Sequence, residues 1–237
     1  VAGREEEMAL LLITTFAVIF LSGTFTTLMG RPLARLFGVL QPADKAGILM
    51  VGANTFSLQL ADHVNKYVPL AFADTSKKRC KLFQHKNLTS LCVDVLDDAV
   101  YEDAREEGFD RLISLTPDNS LNHLICQKAG LYFGEDNVFV VHGRREEADV
   151  EAMPPFEVNY AFTDAFCLTE AIQVLEEGAA RFEECHFDGS GPKDAIPLFR
   201  VTNSGGLLPV SDDPSEGNHL CLVFDTSSDN PGLKQEA

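Results

Sequence analysis

Two short apolar runs each stop at a residue suited to holding a ligand. Ile48–Val51 ends at Gly52, and Val68–Ala73 ends at Asp74, with a helix-patterned stretch over 55–65 between them. Strand, tight turn, helix, strand and terminal acid is an arrangement that can hold a dinucleotide. The turn lets backbone approach a pyrophosphate, the helix N-terminus offers N–H groups, and the acid accepts hydrogen bonds from ribose hydroxyls. Asp74 lies 22 residues after Gly52, the separation this chemistry uses. The candidate phosphate contacts are Gly52, Ala53, Asn54 and Thr55, and Thr75 adds a neutral donor beside Asp74. Asp94, closing the third run (LCVDVLDD), is expected on the adenine side, and Thr116, closing the fourth, is expected to face the same crevice. The expected cofactor is NAD(H) or an adenine nucleotide. The alternative is the same scaffold with an empty crevice.

Two of the three glycines of a G-x-G-x-x-G turn are missing, because G-A-N-T-F-S places Gly52, Asn54 and Ser57 at the three positions. Asparagine is the side-chain-bearing residue that best tolerates a left-handed backbone, so Asn54 is expected to keep the loop shape. Ser57 is small enough for close helix–strand packing. Asp74→Ala is expected to weaken nucleotide binding without unfolding the domain.

Other chemistries lack their residues. No serine is flanked as in G-x-S-x-G and no phosphate-binding P-loop occurs. Cys185, His186, His219 and Cys221 are metal-ligand types, but neighbours on a strand point to opposite faces and cannot converge easily. The pairs Asp97-Asp98 and Glu102-Asp103 lie on a solvated helical face. No catalytic set is recognisable, and the chain is not expected to be an enzyme.

The elements that must position the crevice are legible in the alternation. Strand-like runs at Ile48–Val51, Pro69–Ala73, Leu88–Val93, Arg111–Leu115 and Val138–Val141 are separated by helical patterns at about 55–65, 77–85, 98–107 and 120–130. Five short strands alternating with helices predict a doubly wound parallel sheet, with Asp118-Asn119-Ser120 capping the fourth of these helices. GRREEADVEAMPP over 143–155 reads as a linker. Beyond it, a possible strand at Tyr160–Thr163, an amphipathic helix over Thr169–Phe182 and strands at Cys185–Phe187, Ile196–Thr202, Leu207–Val210 and His219–Phe224 predict a small α+β module. Asn203-Ser204-Gly205-Gly206 is a hairpin signal. Residues from Asp225 are Ser/Asp/Pro-rich and expected to be disordered.

Met8–Met29 holds 22 residues without a charge. As a helix it would be about 33 Å long, enough to cross a bilayer core. Arg31 and Arg35 follow it directly, which places its C-terminal end in the cytoplasm. Gly30–Leu40 spaces Leu33, Leu36, Phe37 and Leu40 as an amphipathic helix on the inner membrane surface, or as an ordinary linker helix. The fold class is therefore α/β: residues 1–29 a final transmembrane helix, 30–46 a connector, 47–142 the parallel domain, 143–155 a linker, 156–225 the α+β module and 226–237 the tail. The chain is expected to be an integral membrane protein, cytoplasmic from about residue 30 onward. It opens on Val1, which suggests the C-terminal part of a longer protein.

Among its 237 residues the formal charge is −17, and residues 151–237 carry 16 acids against 4 bases. So acidic a surface argues against binding DNA, RNA or an anionic membrane surface. The six cysteines include no CxxC pair, and most sit in apolar runs (FCL, LCV, LIC), the pattern of core residues in a reducing compartment and not of a disulfide framework.

A membrane span, the connector GRPLARLFGV, then a domain opening ILMVGAN and reaching ADTS together resemble the C-terminal end of sodium/hydrogen exchanger-type monovalent cation/proton antiporters. In these a TrkA-N (RCK-like) nucleotide-binding domain of Rossmann-like fold follows the last span. The resemblance covers about residues 8–142 and is most specific in FLSGTFTTLMGRPLARLFGV. It implies a Na⁺ or K⁺/proton exchanger whose ion-binding acids lie in earlier spans. The partners it implies are the membrane-embedded transport domain of the same protein, the lipid bilayer and a second copy in a homodimer. It carries ligand binding to Gly52, Asn54, Asp74 and Asp94. Two alternatives stand beside it: a membrane-tethered NAD(P)-dependent oxidoreductase or epimerase, which would lack a Tyr-x-x-x-Lys pair, and the regulatory domain of a potassium channel or uptake system.

Overall fold

The computed structural model describes residues 2–36, 45–145, 158–188, 192, 194–211 and 214–225. The chain divides into two units, residues 1–42 and 43–237.

The first unit is one helix, α1 (Ala2–Leu36). Leu10–Met29 is long and apolar enough to cross a membrane, with a mean hydropathy of 1.9. Its hydroxyls are consistent with that use. Thr14, Thr15, Thr24, Thr26 and Thr27 each donate to the carbonyl four residues earlier at 2.7–2.8 Å, so none competes for a partner outside the helix. The helix continues without a break through Pro32 to Leu36, so the span and the first part of the expected connector are one element. The rest of the connector, 37–44, most of the linker (146–155) and the tail at 226–237 lie outside the described residues.

The second unit is built on a six-stranded sheet of order β3-β2-β1-β4-β5-β6, every pair parallel. Its strands are β1 (Gly47–Val51), β2 (Leu70–Asp74), β3 (Thr89–Cys92), β4 (Phe109–Ser114), β5 (Val138–Val140) and β6 (Asn159–Tyr160). The crossovers are α2 (Thr55–Val64), α3 (Lys77–His85), α4 (Asp98–Glu106) and α5 (Asn119–Phe133). Strands buried on both faces explain the near-continuous apolar runs. On one face Ile48, Met50, Leu70, Phe72 and Ile113 pack with α2 and with Phe83 of α3. On the other, Leu49, Val51, Ala71 and Leu112 pack with Tyr101 of α4 and Ile125, Ala129 and Phe133 of α5. This is a Rossmann-like doubly wound sheet.

The strand near Tyr160 is the sixth of this sheet, pairing Phe139 with Asn159 and Val140 with Tyr160. After β6 come α6 (Leu168–Glu176) and an antiparallel sheet of order β7-β10-β8-β9, formed by β7 (Ala180–Phe187), β8 (Ala195–Val201), β9 (Leu207–Pro209) and β10 (Gly217–Phe224). The helix expected over 169–182 ends six residues early. Gly178, at φ +71°, turns the chain, and Ala180–Phe187 becomes a strand pairing along its whole length with β10. The Asn203–Gly206 hairpin connects β8 to β9. Phe162, Phe166, Leu168, Phe182, Leu198 and Leu222 complete the core that begins on β1 and α2, so the two sheets share one apolar interior.

Two of the six cysteines are not free. α3 folds back onto β3 and brings Cys80 and Cys92 to a Cα–Cα distance of 5.9 Å, joined as a disulfide. Their separation of 12 residues carries no recognisable spacing, which is why the sequence shows no sign of the pair. Cys126, Cys167 and Cys221 are buried free thiols, as apolar flanks suggest.

Burial lowers the pKa of His63, His142 and His219 below the ordinary 6.5. The unfolded chain therefore binds more protons between the lowered values and 6.5. Stability is complete above that window and falls as pH drops through it. Urea midpoints should accordingly be lower at about pH 5 than at about pH 7.5, before the carboxylates titrate near pH ~4. A flat midpoint across that range would contradict it.

Candidate functional site

At the carboxyl ends of β1, β2 and β4, where the strand order reverses, lies an open crevice of about 640 Å³. Ligands bind at this switch point in open parallel sheets, and the volume suits a nucleotide. Its walls include Gly52, Ala53, Asn54, Thr55, Asp74, Thr75 and Thr116, so seven of the eight residues singled out by spacing share one cavity.

Gly52 makes the first turn. It has φ +109°, and a Cβ there would stand 2.5 Å from the Leu115 carbonyl oxygen, so only glycine fits. Asn54 behaves differently from the expectation. Its backbone is extended, at φ −145° and ψ 178°, and no left-handed residue is needed there. Asn54 is instead the N-cap of α2. Its Oδ1 accepts the Ser57 N–H at 2.9 Å, its own N–H donates to Ser57 Oγ at 2.9 Å, and its Nδ2 donates to the Leu115 carbonyl at 2.9 Å. The loop shape is thus held by side-chain bonds that Gly-Gly could not make.

Asp74 is almost fully buried, 7% exposed. Its Oδ2 accepts the Ala53 N–H at 2.8 Å, its Oδ1 accepts the Ser76 N–H at 2.7 Å, and Arg79 Nη1 lies 3.4 Å from Oδ2. The carboxylate therefore staples the Gly52 turn to the tip of β2. A carboxylate has about four acceptor positions, which leaves room for a ribose hydroxyl. Thr75 is exposed on the rim. Thr116 is pinned by the buried Asn122, whose Oδ1 accepts the Thr116 N–H at 3.0 Å and lies 2.6 Å from the Thr116 hydroxyl.

Asp94 is not brought into the cavity. It is exposed and accepts the Leu96 N–H at 3.0 Å, and the neighbouring Val95 lines the crevice instead. Spacing in the sequence did not reveal several wall residues: Arg79, Asp118, Asn119, Arg144, Ile172 and Glu176. A signal for Arg79 was present. Lys77, Lys78 and Arg79 open α3, an end where the helix dipole disfavours cations, so a compensating anion is implied nearby. Arg144 is placed by Asn119, whose Oδ1 accepts the Gly143 N–H at 2.8 Å and whose Nδ2 donates to the Arg144 carbonyl at 3.0 Å. A side chain at Gly143 would collide with the Thr116 carbonyl at 2.5 Å. Glu176 and Ile172 come from α6, more than a hundred residues after the turn they face. Among the described residues no group of three or more His, Cys, Asp or Glu is placed to hold a metal.

No curated protein matches the chain in sequence. Solved structures with a similar arrangement include the TrkA-N domain of inner membrane protein ybaL from Escherichia coli, at 16% identity and TM-score 0.35, covering 40% of this chain and 70% of that one. The NAD(P)-binding domain of an exopolyphosphatase-related protein from Archaeoglobus fulgidus gives 16% identity and TM-score 0.36, covering 40% and 72%. The epimerase Mth375 from Methanothermobacter thermautotrophicus gives 19% identity and TM-score 0.35, covering 48% and 40%. Residues 48–156, which hold the Gly52 turn, Asp74 and most of the parallel sheet that carries them, match the family model of the TrkA-N domain, a Rossmann-like domain of the NAD(P)-binding kind.

Proposed function

We propose that this chain is the nucleotide-sensing cytoplasmic region, with the last membrane span, of a monovalent cation (Na⁺ or K⁺)/proton antiporter. The observation that carries the sensing role is the convergence of the Gly52 turn, the α2 N-terminus and Asp74 on one crevice at the switch point of the sheet. Arg79 and Arg144 supply positive charge on its walls for an anionic ligand. The antiporter assignment is supported by the resemblance of FLSGTFTTLMGRPLARLFGV to the last span and exit of such exchangers. The ligand is NAD(H) or an adenine nucleotide, and the crevice acts as a sensor and not as a catalytic centre.

A ligand regulates only through its different affinity for two states. A nucleotide held between Gly52–Thr55 and Asp74 stiffens the loops that close β1, β2 and β4 and alters how paired domains pack. That change passes through residues 30–46 to the span. Calorimetric titration of NADH, NAD⁺, ATP, ADP and AMP onto the full chain in detergent micelles should give saturable heat with at least one of them. If all five are silent, the region has no effector of this class and the sensing role fails. The full-length gene tests the other half: a large bundle of upstream spans fits an exchanger, whereas a short pore-forming module would move the region to a potassium channel.

A further inference from the structure

The first turn of α2 contains no acid of its own, although the N-terminus of a helix favours one. The acid arrives from another helix. Glu176, in the last turn of α6, accepts a hydrogen bond from the hydroxyl of Thr55, the first residue of α2, at 2.8 Å between Oε1 and Oγ1. At the C-terminal end of its own helix a carboxylate meets the unfavourable pole of the dipole. α6 has no basic residue in that turn, and Glu177 follows as the C-cap. The field that compensates Glu176 is therefore that of α2.

The same terminus is where a nucleotide phosphate approaches. Two of its N–H groups are already taken, that of Asn54 by Ser57 Oγ and that of Ser57 by Asn54 Oδ1. The amides of Thr55 and Phe56 have no partner among the described residues, and with the Thr55 hydroxyl they are the donors left for an anion. Glu176 holds one of these three, and it lines the same crevice as Asp74 and Arg79. We propose that Glu176 is the specificity-determining residue of the crevice: an internal anion at the phosphate position, which a nucleotide phosphate must displace. Displacement also breaks the hydrogen bond between α2 and α6, so phosphate occupancy is felt at the helix that leads into the antiparallel sheet.

This inference rests on the nucleotide-binding role proposed above, and the test separates the two. AMP is titrated by calorimetry onto the full chain in detergent micelles, as wild type, Glu176→Gln and Glu177→Gln. Glutamine keeps the length of the side chain and its carbonyl can still accept from Thr55. Glu177 carries the same charge one residue away and does not line the crevice. AMP should bind E176Q about tenfold more tightly than wild type, with E177Q unchanged. Equal affinity for wild type and E176Q overturns the role of Glu176 and leaves nucleotide binding standing. An equal gain in E177Q also overturns it, because the effect would then be one of diffuse charge. Absence of AMP binding in all three proteins, together with silence towards NADH and ATP, removes the nucleotide reading and this inference with it.

Discussion

Phe56→Ala should cost about 3–5 kcal/mol of stability and lower the unfolding midpoint of both sheets together. Phe56 is fully buried at the start of α2, and its ring meets Phe162, Phe166 and Phe182 at centroid distances of 6.2, 5.2 and 5.5 Å. These partners come from the segment after β6 and from β7, so one ring joins the parallel sheet to the antiparallel one. Edge-on and tilted contacts of this kind add about 0.5–1.5 kcal/mol per pair beyond area burial. The wall formed by three other rings collapses poorly, which puts the loss towards the upper part of the range. Against a total stability of about 5–15 kcal/mol that is a large fraction. Urea unfolding followed by circular dichroism, with hydrogen exchange read on β1 and β10, should show one transition moving for both. Two separated transitions in the variant, with β1 unaffected, would show that the sheets do not share a cooperative core.

The shared core explains which parts of the fold were legible in the sequence. β1, β5 and all of β2 before Asp74 are apolar runs because both their faces are covered, and β4 keeps its apolar Leu112 and Ile113 after Asp110 and Arg111. Their parallel arrangement follows from alternation with helices. The antiparallel sheet is different, since only one of its faces joins the main core. Ala180 and Phe182 are buried while Arg181 and Glu183 are exposed, a period of two. That signal was hidden because Leu168, Ile172, Leu175 and Ala179 continue at helical spacing up to the same point. Gly178 marked the boundary, but a lone glycine is weak punctuation beside four well-spaced apolar residues. The possible strand at Tyr160–Thr163 shares only Tyr160 with β6 (Asn159–Tyr160), and the place of β6 in the parallel sheet, not in the α+β module, depends on contacts with β5 that no local pattern records.

The crevice divides along the same line. Residues that close a strand of the sheet were found by position: Gly52, Asp74 and Thr116. The same rule does not bring Asp94 to the crevice, because β3 is a half-exposed edge strand whose exit turns the carboxylate to the Leu96 amide. At Asn54 a missing glycine suggests a left-handed residue, whereas the backbone is extended and the side chain caps α2. Glu176 and Arg144 could not be found by spacing, because each reaches the turn only through the tertiary fold.

Asp74→Ala is the second large effect, and its cause is burial. The sequence alone suggested a ribose acceptor that could be removed without unfolding the domain. In the structure the carboxylate accepts two backbone amides, those of Ala53 and Ser76, and Ala53 is itself buried. Hydrogen bonds to a charged acceptor contribute about 1.5–3 kcal/mol, and a buried donor left without one carries its full desolvation cost. Arg79 adds little, because its side chain is 58% exposed and such pairs are worth under about 1 kcal/mol. The variant should therefore lose about 2–4 kcal/mol of stability as well as nucleotide affinity. Measuring the urea midpoint and the nucleotide titration on the same preparation separates the two roles. An unchanged midpoint with binding abolished would make Asp74 a ligand contact alone. An unchanged affinity with a lowered midpoint would make it a staple of the Gly52 turn and nothing more. The geometry requires both to fall, since the turn that presents the α2 amides to a phosphate is the turn that Asp74 holds in place.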